Sequence, residues 1–584
     1  MPTLDWIGKD KVVNHHLDVP YRVMERRYSY DETGQHDEDN GSENMIIHGD
    51  NLEALKSLLP QYEGKIKCIY IDPPYNTGNE NWVYNDNVND PRIINWLGKV
   101  VGPEGKDLSR HDKWLCMMYP RLKLLQRLLA DDGAIFISID DTEYANLRVI
   151  CDEILGSNCF VSNISWQRTY SMRNDAKGIP AEVEHILVYS RNVDWQPQKL
   201  GRTESMDSKY KNPDNDPRGV WRNIVASAPN ASTHQGMVYA IQNPITGEYT
   251  YPPQGRCWSL GQDQMLEAMC QWCEYTLADL QDYEARAKVC NLTTDVIRKD
   301  VMAIVLKDDA STAKSKAMAL YQNGPLPEFF FSRNGYGALS RKAYLQQMGG
   351  RPVTNLWPFE ETGHTDEASR LLKTMFGGTA IFDTPKPPRL IERILHIIGD
   401  KKSLVLDSFA GSGTTAHAVL NMNKADGGNR RFILIEMMDY ADGITAERVK
   451  RVIDGYGDGS KAVEGTGGNF SYYELGEPLM VDDVLNENVG VNKIREYVYF
   501  TETKCRLPKP HPDEPYYMGI HINSAYYFYY ERNDITTLNR EFLHTVKTKA
   551  DAYVIYADTC VLSDAELDKY HITFKKIPRD ITRL

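Results

Sequence analysis

The stretch Ile69-Tyr70-Ile71-Asp72-Pro73-Pro74-Tyr75-Asn76 is the part of this chain on which the fold turns. An apolar run from Ile66 to Ile71 ends abruptly in an acid, two prolines and an aromatic. Proline lacks the backbone N–H and locks φ, so a central strand does not continue through it. The segment reads as a buried strand whose carboxyl end opens into a rigid turn presenting Asp72 and Tyr75. In an open α/β sheet, ligands bind in the crevice beyond the carboxyl ends of the strands. A carboxylate and a ring held there suit a flat, amino-bearing base. A strand followed by an ordinary Pro-Pro turn would look the same in isolation.

Moving outward, the same grammar repeats. Met45-Ile46-Ile47 is a short strand that ends at His48-Gly49-Asp50-Asn51, before a helical pattern at Leu52, Leu55, Leu58 and Leu59. Asp50 or Asn51 can cap that helix, and an acid at a strand end can equally bind a ligand's polar edge. The polar stretch from Asn76 to His111 carries Trp82, Tyr84 and Trp96, and a loop of this length beside a site is expected to be functional or mobile. A helix follows over Trp114 to Leu129, with Asp131-Asp132-Gly133 read as its stop. Then come a strand at Ala134–Ile139, a helix from Thr142 to Leu155, and strands around Phe160–Trp166 and His185–Ser190. This alternation predicts a mostly parallel, doubly wound sheet.

From Arg191 to Phe359 the regularity dissolves into short helices and turn-like fragments rich in Trp, Tyr, Pro, Gly and Asn. So many aromatics argue for an inserted domain rather than a disordered linker. The α/β pattern resumes with helices at Asp366–Phe376 and from Pro387-Pro388 through Ile398, proline being well tolerated in a first turn. Ser403–Leu406 is a strand ending in Asp407-Ser-Phe409-Ala410-Gly411-Ser412-Gly413-Thr414-Thr415, directly before a helix at Ala416–Asn421. Arg431–Ile435 is a strand ending in Glu436. A strand, a glycine-bearing turn, a helix and a second strand ending in an acid form a nucleotide-binding arrangement. The turn lacks a full GxGxxG, and no GxxxxGK[ST] loop occurs in the chain. A nucleoside cofactor without a phosphate chain therefore fits better than NAD or ATP.

Composition sets the outer bounds. At 584 residues, several domains are expected. We divide the chain into an arm and acidic linker (1–44), a first α/β half (45–190), the insert (191–359), a second α/β half (360–455) and a C-terminal domain (456–584). The acidic stretch Asp31–Asn44 reads as a loop. No apolar stretch approaches bilayer length and the N-terminus lacks a signal-peptide core, so the cytoplasm is the expected compartment. A net charge of −14 argues against indiscriminate binding to phosphate backbones. Between residues 166 and 222, ten Lys and Arg stand against eight Asp and Glu, a shift that only permits a local nucleic-acid surface. Cys257, Cys270, Cys273 and Cys290 would make a zinc site as four thiolates, but a single CxxC with helical spacing favours core packing, and no metal is expected.

The pairing of DPPYNTGN (72–79) with DSFAGSGTT (407–415) resembles the β-class amino-methyltransferases that act on DNA with S-adenosylmethionine. HGDNLEAL (48–55), FDTPKPPRLIERIL (382–395) and GGNRRFILIE (427–436) resemble further segments of that family. The likeness is greatest to the modification subunits of type III restriction systems and related stand-alone adenine methyltransferases of bacteria and archaea. The order of the pieces implies a circular permutation of the Rossmann-like methyltransferase sheet. The chain starts at the family's third strand (ending Asp50) and fourth (ending Asp72). It returns, after the insert, with the first (ending Asp407) and second (ending Glu436). The insert takes the place of the family's target recognition domain.

The resemblance implies that Asp72, Pro73, Pro74 and Tyr75 form the catalytic turn. It also implies that Phe409, Ala410, Gly411, Ser412, Gly413 and the flanking Asp407, Thr414 and Thr415 line the cofactor, with Glu436 on its ribose and Asp50 on its adenine. Thr384, Pro385 and Lys386 would close over its methionine end. Duplex DNA is the implied partner, with a homodimer and a restriction or helicase subunit as further expectations, since the chain carries no ATPase loop. Phage defence by host-DNA modification would be the setting.

The chemistry stands beside the resemblance. The exocyclic amine of adenine is a poor nucleophile because its lone pair is conjugated into the ring. A carboxylate (Asp72) and the Pro73 carbonyl accepting its two N–H groups would draw the nitrogen toward tetrahedral geometry. The base must leave the duplex and stack, which suits Tyr75. Without a Pro-Cys dipeptide, cytosine C5 methylation is not expected. N4-cytosine methylation is the serious alternative, and amide methylation of protein glutamine a lesser one.

Overall fold

The computed structural model describes residues 3–77, 98–99, 110–170, 178–481 and 484–579. Trp82, Tyr84 and Trp96, and the Gly78-Asn79 end of the first motif, lie outside the described residues. The chain divides into two units, one of residues 1–198 with 353–584 and one of residues 199–352.

The first unit is built on a sheet of eleven strands. At its centre, Met45–His48, Arg431–Glu436, Leu404–Asp407 and Ile66–Ile71 lie side by side, all parallel. In the permuted numbering these are strands three, two, one and four. The order reverses between Leu404–Asp407 and Ile66–Ile71, and such a reversal opens the ligand crevice of a doubly wound sheet. Asp407 and Asp72 stand at the carboxyl ends of the two strands that flank it. Beyond Ile66–Ile71 come Leu129–Ile139 (parallel), Val183–Ser190 and Phe160–Gln167, with Val183–Ser190 antiparallel to both its neighbours. The central strands read as near-continuous apolar runs because helices cover both faces, and Ile69, Ile71, Val405, Leu406, Ile433 and Ile435 are fully buried.

The helices follow from local chemistry. Asp50 accepts the backbone N–H groups of Leu52 and Glu53 at 2.8 and 3.3 Å and so starts the helix Asn51–Tyr62. Leu55, Leu58 and Leu59 on it are wholly buried, each contributing about 1.5–3 kcal/mol over exposure. The helix Pro388–Ile398 opens on proline and closes at Gly399, whose φ of 79° releases the chain.

Two expectations are corrected. Asp131-Asp132-Gly133 does not separate helix from strand: the helix Arg110–Leu128 gives way directly to the strand Leu129–Ile139, which runs through all three. The two aspartates are exposed at its start, where the pairing shifts register, and a Cβ at Gly133 would stand 2.9 Å from the Ile66 carbonyl. Nor is the acidic stretch after Asp31 wholly loop. Gly34–His36 turns back on Ser29–Asp31, with the Asp31 carboxylate accepting the Thr33 N–H at 2.9 Å, an aspartate turn that sequence periodicity does not register. The sheet also continues outward through Asn469–Pro478, parallel to Met45–His48, and Arg22–Asp31, antiparallel to Asn469–Pro478. A separate four-stranded sheet (Tyr517–His521, Ser524–Phe528, Ala552–Ala557, Ile572–Lys576) lies within residues 484–579.

The unit of residues 199–352 holds sheets of four, three and two short strands. Lys342, fully buried, donates to Asp214 and Asp216, the latter at 2.6 Å. Cys257 and Cys290 pack in one apolar cluster and Cys273 in another, whereas Cys270, expected in the core with them, is exposed just past the helix Gln262–Met269. Among the described residues no group of three or more His, Cys, Asp or Glu is placed to hold a metal ion, and no helix is long and apolar enough to cross a membrane.

Candidate active site

Asp72 follows the strand Ile66–Ile71 and is held by side chains from distant parts of the sequence. Lys386 donates to both of its carboxylate oxygens, at 2.8 and 2.7 Å, and to the Tyr75 hydroxyl at 3.0 Å. That hydroxyl lies 2.7 Å from Asp72 Oδ1 and 3.1 Å from Glu184 Oε2, within donating reach of either. Arg168 donates to the other Glu184 oxygen at 2.8 Å. Charges therefore alternate: carboxylate, ammonium, carboxylate, guanidinium. Burial pushes the Asp72 carboxyl above its ordinary range, Lys386 opposes that push, and Glu184 adds to it.

The Pro-Pro turn is clamped from behind. Trp114 Nε1 donates to the Pro74 carbonyl at 2.7 Å. Asn76 adopts a left-handed conformation (φ 62°) and donates to Glu143 at 2.5 Å. Glu143, fully buried, also meets Asn146 at 2.7 Å and His111 Nδ1 at 2.7 Å. Asparagine tolerates the left-handed region better than other side-chain-bearing residues, which explains its place directly after the tyrosine.

The glycine turn is equally tied. Asp407 accepts the Phe409 N–H at 3.0 Å and the Thr415 hydroxyl at 2.5 Å, bracing the turn across its mouth. Gly411 and Gly413 have φ of 50° and 80°. A Cβ on Gly413 would stand 2.9 Å from the Thr445 carbonyl. Glu436 accepts the Gly411 N–H at 2.8 Å and the Met438 N–H at 3.0 Å. Burial raises Asp407 and Glu436 each to about 7. Arg448, fully buried, donates to the hydroxyls of Ser412 and Thr414 at 2.8 and 2.7 Å, pinning the turn from below.

Both motifs wall a single pocket, a concave site of the kind that takes a small ligand. Its lining takes Asp72, Pro73 and Tyr75 from one side, and Thr384, Pro385 and Lys386 from the segment before the helix Pro388–Ile398. Asp407, Phe409, Ala410, Gly411, Ser412, Thr414 and Thr415 complete the other side, with Phe382 and Asp383. Three carboxyl groups face one ammonium there, a balance that suits a cationic ligand and not a phosphate chain.

Four expected residues stand outside this lining. Pro74 is engaged by Trp114 through its carbonyl, and Gly413 precedes the helix Thr414–Asp426 as its cap. Asp50 caps its own helix and lies 3.6 Å from Arg121. Glu436 spends both oxygens on backbone N–H groups. Lys386 lines the pocket, but its ammonium is on Asp72. Glu184, Arg168, Glu143 and Arg448 escaped the sequence reading. A signal existed for Glu184, an acid within the apolar strand Val183–Ser190, because charges are seldom buried unpaired.

The family model described as DNA methylase, of N6 and N4 type, matches residues 66–252 and 302–447. That range holds Asp72–Tyr75, the glycine turn and Glu436, and more than half of the chain. The chain belongs to the DNA methylase family. Among curated relatives of this methylase, the type III restriction-modification enzyme StyLTI Mod subunit of Salmonella typhimurium is 30% identical over 532 residues, covering 86% of this chain and 71% of the relative. The type III EcoPI Mod subunit of Escherichia phage P1 is 30% identical over 469 residues, covering 74% of this chain and 63% of the relative. The type II methyltransferase M.KpnI of Klebsiella pneumoniae is 29% identical over 398 residues, covering 67% and 80%. This methylase thus spans less than two thirds of the EcoPI subunit.

Proposed function

We propose that the protein transfers a methyl group from S-adenosylmethionine to the N6 amine of a flipped-out adenine in duplex DNA. The observation that carries this reading is the single pocket walled by both Asp72–Tyr75 and the Phe409–Ser412 turn, at the reversal point of the sheet. S-adenosylmethionine supplies an electrophilic methyl group when bound. Phe409, Ala410, Gly411 and Ser412 would hold its nucleoside part, the backbone glycines permitting close approach.

The chain's own residues do the rest. Asp72 accepts one N–H of the target amine and fixes its orientation. The Pro73 carbonyl accepts the second, so that the nitrogen lone pair turns out of the ring plane. Fixed acceptors also stabilise the positive charge that develops on nitrogen. Tyr75, anchored through its hydroxyl, offers a ring face for the extruded base. Asp rather than Asn at the first position of the motif favours adenine over cytosine in this reading.

The unit of residues 199–352 is the proposed target recognition domain, reading base edges while the sheet performs the transfer. Pairing of two copies, and a restriction subunit bearing its own ATPase loop, belong to the same proposal, in keeping with relatives named Mod subunits.

The test is to incubate the protein with methyl-labelled S-adenosylmethionine and unmethylated genomic DNA, then digest the DNA to nucleosides. Label in N6-methyldeoxyadenosine is expected. Label in N4-methyldeoxycytidine would replace the base, and label confined to protein would overturn the reading.

A further inference from the structure

Lys386 stands where the reaction needs empty acceptors. Its ammonium takes both oxygens of Asp72, at 2.8 and 2.7 Å, and the Tyr75 hydroxyl at 3.0 Å. Those are the groups that the target amine and its base would engage. The nitrogen lies 5.1 Å from the centre of the Tyr75 ring and 5.9 Å from that of Trp166. An ammonium presents N–H donors much as an amine does, so the lysine mimics the substrate group in charge-assisted form. It also has a second place to go, because Glu184 lies 3.5 Å from the same nitrogen. Its backbone is anchored to the cofactor turn, the Lys386 carbonyl accepting the Thr414 hydroxyl at 3.1 Å.

We propose that Lys386 is a positioning residue for methylation: its ammonium keeps Asp72 ionised and aligned with Tyr75, and shifts toward Glu184 when the target amine takes over the Asp72 oxygens. This rests on the reading of Asp72 as the acceptor of that amine. Moving from one carboxylate to the other keeps the buried ammonium paired throughout, avoiding the cost of stranding it. The side chain can make this move because four rotatable bonds separate its head from an anchored backbone.

The groups that face Asp72 make the electrostatic need plain. Tyr70 and Tyr75 come from its own segment, Glu184 from the strand Val183–Ser190, and Asp407 from the strand Leu404–Asp407. Arg168 sits beyond Glu184, and Glu436 beyond Asp407. Among these described groups, Lys386 is the cation that touches Asp72. Burial alone favours the neutral acid, and a neutral acid offers the amine a poorer acceptor.

The experiment compares wild type, Lys386→Met and Lys386→Arg in methyl transfer to unmethylated genomic DNA across pH 5.5–9.5, with S-adenosylmethionine titrated separately. For Lys386→Met, the acid limb of kcat/KM should move up by about one unit or more, so that activity near its foot falls about tenfold and recovers as pH rises. Lys386→Arg should keep its acid limb near that of wild type, and the separate cofactor titration keeps any change in S-adenosylmethionine affinity apart from the shift of the limb. An unmoved acid limb in Lys386→Met, with an equal loss at every pH, would overturn the proposal, as would Lys386→Arg behaving like Lys386→Met. If wild type itself transfers no methyl group to DNA, the reading of Asp72 fails first. If wild type is active and the limb does not move, only the role of Lys386 falls.

Discussion

Gly411 donates its backbone N–H to Glu436 at 2.8 Å, tying the glycine turn to the end of the neighbouring strand across 25 residues of sequence. The same carboxylate accepts the Met438 N–H at 3.0 Å. Both Glu436 and Asp407 are pushed up to about 7 by burial, the hydrogen bonds opposing. A carboxyl raised on folding binds its proton more tightly in the folded chain than in the unfolded one. Stability from these two groups is therefore greatest below the ordinary carboxyl range and is lost as pH rises toward 7, then levels off. The urea midpoint of the ligand-free protein should carry a downward contribution between pH 5 and 7.5, and Asp407→Asn should flatten that slope. An unchanged slope in the variant would contradict the assignment.

Gly413 tests the turn itself. At φ 80°, with the Thr445 carbonyl 2.9 Å from the place of a Cβ, alanine meets both backbone strain and a clash. Gly413→Ala should cost about 1–3 kcal/mol of stability and weaken S-adenosylmethionine binding. Full retention of both in calorimetric titration and thermal melting would show that the turn is looser than its geometry indicates.

Glu143 is not among the pocket-lining residues, yet it holds Asn76 at 2.5 Å and His111 at 2.7 Å behind the Asp72–Tyr75 turn. Glu143→Ala removes that support and leaves buried donors unmet, at about 1–3 kcal/mol. We expect kcat for DNA methylation to drop about tenfold or more, since small misplacements of reacting groups are costly, while cofactor binding persists. Equal losses in kcat and cofactor affinity would instead mean that the whole sheet edge has shifted.

How far the sequence reveals these relationships depends on the kind of signal each residue leaves. Asp72, Asp407 and Glu436 are legible because each ends an apolar run, and the buried parallel strands before them have no other reading. Lys386 is legible as part of TPKP but not as the partner of Asp72, 314 residues away, since a lone lysine carries no periodic mark. Arg22–Asp31, polar and only loosely alternating, hides its pairing with Asn469–Pro478, because the hydrophobic pattern that sets a register is weak there. The Asp131–Gly133 misreading has the same origin, as turn-forming residues can sit at an exposed strand start.

Lys342 gives a test confined to the unit of residues 199–352. Its ammonium is buried between Asp214 and Asp216, with Tyr344 donating to the latter at 2.7 Å. Lys342→Met takes the ammonium from both carboxylates, leaving Asp216 to Arg218 and Tyr344 and Asp214 to Trp221 and the Leu326 N–H, and should destabilise this unit by about 1–3 kcal/mol. Limited proteolysis should then cut within residues 199–352 first. Protection equal to wild type would contradict a structural role for this ion cluster.

The central claim is that Asp72 receives the amine that is methylated. The most direct measurement pairs Asp72→Ala with wild type in transfer of labelled methyl groups to duplex DNA, alongside titration of S-adenosylmethionine. Transfer should be abolished in Asp72→Ala while cofactor binding remains measurable. Undiminished transfer by Asp72→Ala would contradict the claim.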